Sequence, residues 1–233
     1  RRFTVRQRRR RRVWIGVAVA VAVTVVGTAG AAYSPLFALQ NIEVTGTTQL
    51  DDAAVADALD AQLGVPLALI DDSAVKAALV RFPLVESYTL EARPPHDLVV
   101  RIVERTPVGV IAGDGGFTVV DAAGVALSTA AEAPAGMPLL SVDGGTESDA
   151  FRAAGRVMRA LPDGIRGQVT EVTASTPDDV ALTLGGNGSR VVWGSADASA
   201  EKAAVLDLLL QKSPPDHARE YDVTSPEAGV VRG

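Results

Sequence analysis

From Val13 to Ala32 the chain reads VWIGVAVAVAVTVVGTAGAA, 20 residues without a charge. A helix rising about 1.5 Å per residue would carry this run across the roughly 30 Å hydrocarbon layer of a bilayer. Its alternation of Val and Ala has the period of a strand. A lone strand leaves its backbone groups unsatisfied in lipid, however, so the pattern predicts a membrane-spanning helix over 13–32. The Tyr33-Ser34-Pro35 breaker ends it.

Past the breaker the period changes twice. Ile42 and Val44 alternate with Asn41, Glu43 and Thr45 up to Gly46, which predicts a half-buried strand. Val55, Leu59 and Leu63 then recur every four residues behind the cap candidates Asp51 and Asp52, a helix stopped by Gly64-Val65-Pro66. A second helix sets Val75, Leu79 and Phe82 in one stripe behind Asp71, Asp72 and Ser73, and stops at Pro83. Two strands follow, one with Tyr88, Leu90 and Ala92 on a face, the other with Leu98, Val100 and Ile102, joined by the turn Arg93-Pro94-Pro95-His96-Asp97. The order is β, α, α, β, β. Its expected core is Ile42, Val44, Val55, Leu59, Val75, Leu79, Leu90, Val100 and Ile102.

From Thr106 onward the texture is short apolar runs between Gly-rich turns, the mark of a mainly β domain. Two helices interrupt it. Residues 148–161 put Phe151, Ala154, Met158 and Leu161 on one side before Pro162-Asp163-Gly164, and residues 199–212 turn Val205, Leu206 and Leu209 inward. Tyr221-Asp222-Val223-Thr224 is expected as the final strand. The fold class is α+β: a basic tail at 1–12, a transmembrane helix at 13–32, a βααββ domain at 37–105, and a mainly β domain with flanking helices at 106–233.

Charge sets the orientation of this arrangement. The net charge of −6 combines two opposed parts: eight of the 22 Lys and Arg residues lie in the first 12 positions, leaving 14 basic against 28 acidic groups, a net −14, in the rest. Arginines on one side of one span keep that end in the cytoplasm and place the acidic body outside, with Trp14 at the interface. The arginines also attract anionic lipid headgroups. An acidic body repels phosphate backbones, which excludes nucleic acid as a partner. A basic start, an apolar run and small residues at Ala29, Ala31 and Ala32 also suit a cleavable signal, but 20 apolar residues exceed the usual length of such a segment. The chain starts with Arg, so more cytoplasmic sequence is expected before it.

Candidate chemistry changes little. There are no cysteines and two histidines, His96 and His217, both expected in solvated polar loops. No HExxH or Cys cluster offers a metal site, and GDGG at 113–116 and GGNG at 185–188 lack the Lys and the strand-to-helix setting of a phosphate loop. Both are expected turns. Asp178-Asp179 has the composition for acid-base work but no nucleophile to serve. The expectation is no enzyme, no cofactor and no metal; the enzyme alternative is a membrane-anchored cell-wall hydrolase.

A family resemblance joins these parts. Residues 37–105 resemble a POTRA domain, and Ile42-Glu43-Val44-Thr45-Gly46, Phe82-Pro83 and Val103-Glu104-Arg105-Thr106-Pro107 are similar to signatures of FtsQ/DivIB cell-division proteins. Farther on, Val120-Asp121-Ala122-Ala123-Gly124-Val125, Pro138-Leu139-Leu140, Gly194-Ser195 with Lys202, and Tyr221 to Pro226 resemble the family's β domain. The resemblance implies a divisome scaffold at the septum, anchored once in the cytoplasmic membrane. Its implied partners are small coiled-coil division proteins of the FtsB/DivIC and FtsL type and the septal peptidoglycan synthase complex. They would dock at the C-terminal strand, at Tyr221, Asp222, Val223, Thr224, Ser225, Ala228, Gly229 and Val230, with alternate side chains meeting the partner. The alternative is a POTRA-bearing component of a secretion or translocation system.

Overall fold

The computed structural model describes residues 3–113 and 115–233, and they divide into two compact units that meet in sequence at Glu104 and Arg105. Asp114, in the expected turn at 113–116, lies outside the described residues. The first unit opens with α1 (Phe3–Ala32), in which Arg12–Ala31 has a mean hydropathy of 2.1 and is long and apolar enough to cross a membrane. The Thr24 and Thr28 hydroxyls donate to the carbonyls of Ala20 and Thr24, at 2.9 and 2.8 Å. Neither polar group would face lipid unpaired. Trp14 and Tyr33, both exposed, stand about 28 Å apart along this run at the helical rise, a spacing that two interfacial aromatic anchors would need.

The rest of the unit runs β1 (Asn41–Thr45), α2 (Asp52–Ala58), α3 (Asp72–Leu79), β2 (Val85–Arg93) and β3 (Asp97–Glu104). The sheet order is β1-β3-β2, with β3 parallel to β1 and antiparallel to β2. Parallel neighbours need a long crossover, and the two helices supply it. Each starts on an aspartate whose carboxylate accepts the next free N–H groups: Asp51 from Ala53 at 3.0 Å, and Asp71 from Ser73 at 2.9 Å. Val55, Leu59, Val75, Leu79, Leu98, Val100 and Ile102 are buried together with Leu39, and Ile42, Val44, Phe82 and Leu90 pack against them.

Three sequence expectations need correction in this unit. The first helix stops at Ala58 and tightens into a 3₁₀ turn over Asp60–Gln62, which turns Leu63 away from the stripe and leaves it 42% exposed. Phe82 packs on the core from the turn after α3. His96 is half-buried, and its Nδ1 lies 3.0 Å from the Ala38 carbonyl oxygen, so it ties the turn to the segment leaving the span. Val99 is buried on the sheet's other face, opposite Glu43 and Glu91, where Arg93 pairs with both acids and Arg101 with Glu91. Gly46, at φ +88°, ends β1; a Cβ there would collide with the Ile102 carbonyl.

The second unit is one nine-stranded sheet covered by helices. Its elements are β4 (Pro107–Gly113), β5 (Gly116–Asp121), β6 (Ala126–Ala130), β7 (Leu139–Val142), α4 (Asp149–Ala160), α5 (Asp163–Arg166), β8 (Val169–Ala174), β9 (Val180–Leu184), β10 (Arg190–Gly194), α6 (Ser199–Lys212), β11 (Glu220–Asp222) and β12 (Val230–Arg232). The strand order is β12-β11-β10-β9-β8-β7-β4-β5-β6. Parallel pairing of β7 with β8 and of β10 with β11 needs crossovers, which α4 and α6 provide. They pack over Val172, Leu182, Trp193 and Tyr221 through Phe151, Val157 and Met158 of α4 and Leu206 of α6. Pro162-Asp163-Gly164 does end α4, but it also starts the short α5.

Two buried charged side chains hold the corners. Asp121 accepts from Ala123 and Val125 N–H at 2.9 and 2.8 Å and pairs with Arg105 at 2.6 Å, which closes the β5–β6 turn. The Lys202 ammonium donates to the Trp193 and Ser195 carbonyls at 3.1 and 2.9 Å, and burial pushes its pKa down against the pull of Asp197. It fastens the start of α6 to the end of β10.

Two measurements follow from the first unit. Leu59→Ala removes a fully buried side chain and should cost about 2–5 kcal/mol in denaturant unfolding, whereas Leu63→Ala should cost less than about 1 kcal/mol. Equal losses would contradict the assignment. Burial alone would raise the Glu104 pKa, but the Thr48 hydroxyl and the N–H groups of Leu50, Thr48 and Gln49 outweigh it and hold the carboxyl down to about 2, against an ordinary 4.5. A depressed acid stabilises the fold above its unfolded pKa, and the contribution is lost as pH falls through the folded value. Glu104→Gln should therefore melt below the parent at pH 7, and the gap should close between pH 4.5 and pH 2. A gap independent of pH would show that the carboxylate plays no such part.

Candidate functional site

The strand expected to end the chain is neither last nor at an edge. β11 is flanked on both sides: Val191 lies opposite Tyr221 in the parallel ladder with β10, and Val231 lies opposite Tyr221 in the antiparallel ladder with β12. Tyr221 and Val223 are completely buried, so they cannot present side chains to a partner. Burial follows from position. A large aromatic next to α6 fills the core, and its hydroxyl donates to the Ser213 carbonyl at 2.6 Å, which satisfies the one polar atom it takes inside. Burial also raises its pKa, with Asp216 adding to the shift.

The outer edge belongs to β12. It pairs with β11 on one side, and among the described residues no strand covers its other side. Three features aim this edge. Asp222 accepts from the Thr224 hydroxyl and N–H at 2.7 and 3.1 Å, which turns the chain after β11 and lowers the Asp222 pKa. The chain then crosses α6 at Gly229, where a Cβ would sit 2.7 Å from Val205 Cγ1 and 3.0 Å from Leu209 Cδ1, so a larger residue would have to displace those side chains. Finally, the Arg219 N–H donates to the Arg232 carbonyl at 2.9 Å, while the Arg232 guanidinium pairs with Glu220 and, at 3.9 Å, with Asp222.

Of the eight residues expected to dock a partner, three are exposed: Thr224, Ala228 and Val230. Asp222, Ser225 and Gly229 are half-buried. Val230, 46% exposed, is the exposed apolar side chain of the edge strand, while Val231 packs against the core. Val231 and Arg232, the rest of that strand, were not among the eight. The signal was faint, a Val-Val-Arg run after Gly229, too short to carry a period.

The other candidate groups are occupied by structure. Asp179 accepts from the Ser175 and Thr176 N–H groups at 2.9 and 2.7 Å, capping the turn before β9. Residues 185–188 are the β9–β10 turn. Among the described residues, no group of three His, Cys, Asp or Glu side chains stands close enough to hold a metal.

Comparison with known proteins supplies the family context. Residues 37–105 match the model of the POTRA domain, FtsQ-type. The cell division protein FtsQ of Streptomyces collinus is 33% identical over 208 residues, covering 84% of this chain and 78% of that protein. FtsQ of Mycolicibacterium smegmatis is 33% identical over 201 residues, covering 86% of this chain and 59% of its own. Among solved structures, the major extracytoplasmic domain of DivIB from Geobacillus stearothermophilus is 18% identical with a TM-score of 0.36, covering 46% of this chain and 92% of that one.

Tyr221→Phe separates the two ways Tyr221 holds the site. It keeps the ring and loses the bond to Ser213, so it should cost about 1 kcal/mol, while Tyr221→Ala should cost about 3–5 kcal/mol. Equal and small losses in urea unfolding would mean that the ring is not core.

Proposed function

The chain belongs to the FtsQ family of cell-division proteins, and we propose that it is a single-span, non-catalytic scaffold whose acidic body stands outside the cytoplasmic membrane at the division septum. There it captures small coiled-coil division proteins of the FtsB/DivIC and FtsL type and links them to septal peptidoglycan synthesis. The observation that carries this reading is the uncovered backbone edge of β12, held in place by the core beneath it. An extended segment of a partner completes such an edge by strand addition: backbone bonds supply affinity, and side chains on alternate faces supply choice. Val230 and Ala228 offer the apolar contacts and Thr224 a polar one. The eight arginines before the span support the orientation, since a translocated arm of that charge opposes the positive-inside bias. The relatives carry cell-division names, which favours this reading over a translocation component.

Orientation is tested by a reporter active only outside the membrane, fused after Gly233. It should be active, and a silent reporter with a stable fusion protein would reverse the topology. Docking is tested by proline. Successive backbone groups of a strand point to opposite sides, so of the Val230 and Val231 N–H groups one bonds β11 and the other faces outward. Of Val230→Pro and Val231→Pro, the variant that melts with the parent should lose capture of the FtsB/DivIC-type protein from solubilised membranes. Undiminished capture by that folded variant would move the docking surface elsewhere.

A further inference from the structure

The end of the first domain nearest the span is apolar where a water-facing domain tip would be polar. Leu36 is 72% exposed, Leu69 51% and Tyr33 56%. Their sequence neighbours Phe37, Leu67 and Ala68 help to line an almost wholly apolar cleft of ≈ 440 Å³. Thr28 and Ala31 of α1 line it from one side, and Phe37, Leu67, Ala92 and Pro94 from the other. Because Thr28 and Ala31 belong to the last turn of the span, the cleft opens at the depth where the span leaves the hydrocarbon. We propose that this end of the domain rests in the outer leaflet of the membrane, with lipid acyl chains covering Leu36, Leu69 and the cleft.

The local backbone suits that occupant. Lipid penalises unpaired N–H groups, and here the turns satisfy their own: Phe37 donates to Ser34, Ala38 to Pro35, and Leu69 to Pro66, at 3.1, 3.2 and 2.7 Å. The segment leaving the span is also fastened to both loops beside it. Leu39 N–H donates to the Val65 carbonyl, Gly64 N–H to the Leu39 carbonyl, and Gln40 N–H to the His96 carbonyl, all within 2.9 Å. The loop over 64–70 and the turn over 93–96 are therefore held at the exit of α1. Charge limits the depth. Asp71 and Asp72 follow Ile70 at once and are exposed, and carboxylates stay with water and headgroups. Insertion is shallow, at the boundary where Tyr33 anchors.

The proposal rests on α1 spanning the membrane, and the test separates the two claims. The chain has no cysteine, so single cysteines label cleanly. The full chain is placed at one copy per lipid nanodisc, with a nitrobenzoxadiazole label at Leu69→Cys, Leu36→Cys, Val21→Cys in the span, or the exposed controls Val80→Cys and Val103→Cys at the far end of the sheet. The labels at 36 and 69 should emit blue-shifted light, be quenched by lipids carrying a shallow doxyl group, and resist aqueous iodide. Those at 80 and 103 should do the reverse, and the label at 21 should respond to a deep doxyl group. If 36 and 69 behave like 80 and 103 while 21 is quenched, the span holds and the proposal fails. If 21 is quenched by iodide, the span itself is wrong. A blue shift at 36 and 69 that needs two copies per disc would assign the face to a second copy of the chain and overturn the lipid assignment.

Discussion

The burial of Tyr221 between two strands is the constraint on which the C-terminal half depends. Its ring lies in the core under α6, its hydroxyl is bonded to Ser213, and its strand is paired to β10 and β12 at once. Every backbone group committed inward at β11 is unavailable to a partner, so the open face passes to β12. An uncovered edge risks pairing with a wrong chain, and short length and charge restrain it. β12 has three residues, and Arg232 stands ion-paired at its end.

At the other end of the chain the same economy of backbone bonds joins the apolar helix α1 to a folded domain. Leu39, which lies outside any regular element, is buried in the first core and bonded to the 64–65 loop. The domain therefore begins where α1 ends, without a free linker. Glu104 closes the far end by accepting from three successive N–H groups at 48–50. The first unit is thus fastened at both ends by polar contacts around an apolar centre.

The regular elements were legible because their periods are long enough to read. Val55, Leu59, Val75 and Leu79 recur at helical spacing behind aspartates that do cap, and Leu98, Val100 and Ile102 alternate as a strand must. What escaped the sequence depends on neighbours far along the chain. Val99 is buried by ion pairs drawn from three strands, Leu39 by a loop 25 residues onward, and His96 by a carbonyl 58 positions away. For the proposed docking region, the C-terminal strand was legible in the sequence but the burial of Tyr221 and Val223 was not. Tyr221 and Val223 read as an exposed alternating edge strand because neither the core that takes their side chains nor β12, three residues long and too short to carry a period, is visible in the sequence.

On the proposed function, the uncovered side of β12 receives a partner strand. Backbone amide hydrogen exchange of the full chain in nanodiscs, with and without an added FtsB/DivIC-type protein, tests this. Amides of 228–233 should gain protection on binding while Tyr221, already bonded in the free chain, changes little. Protection confined to residues 37–105, with 228–233 exchanging as fast as before, would contradict it.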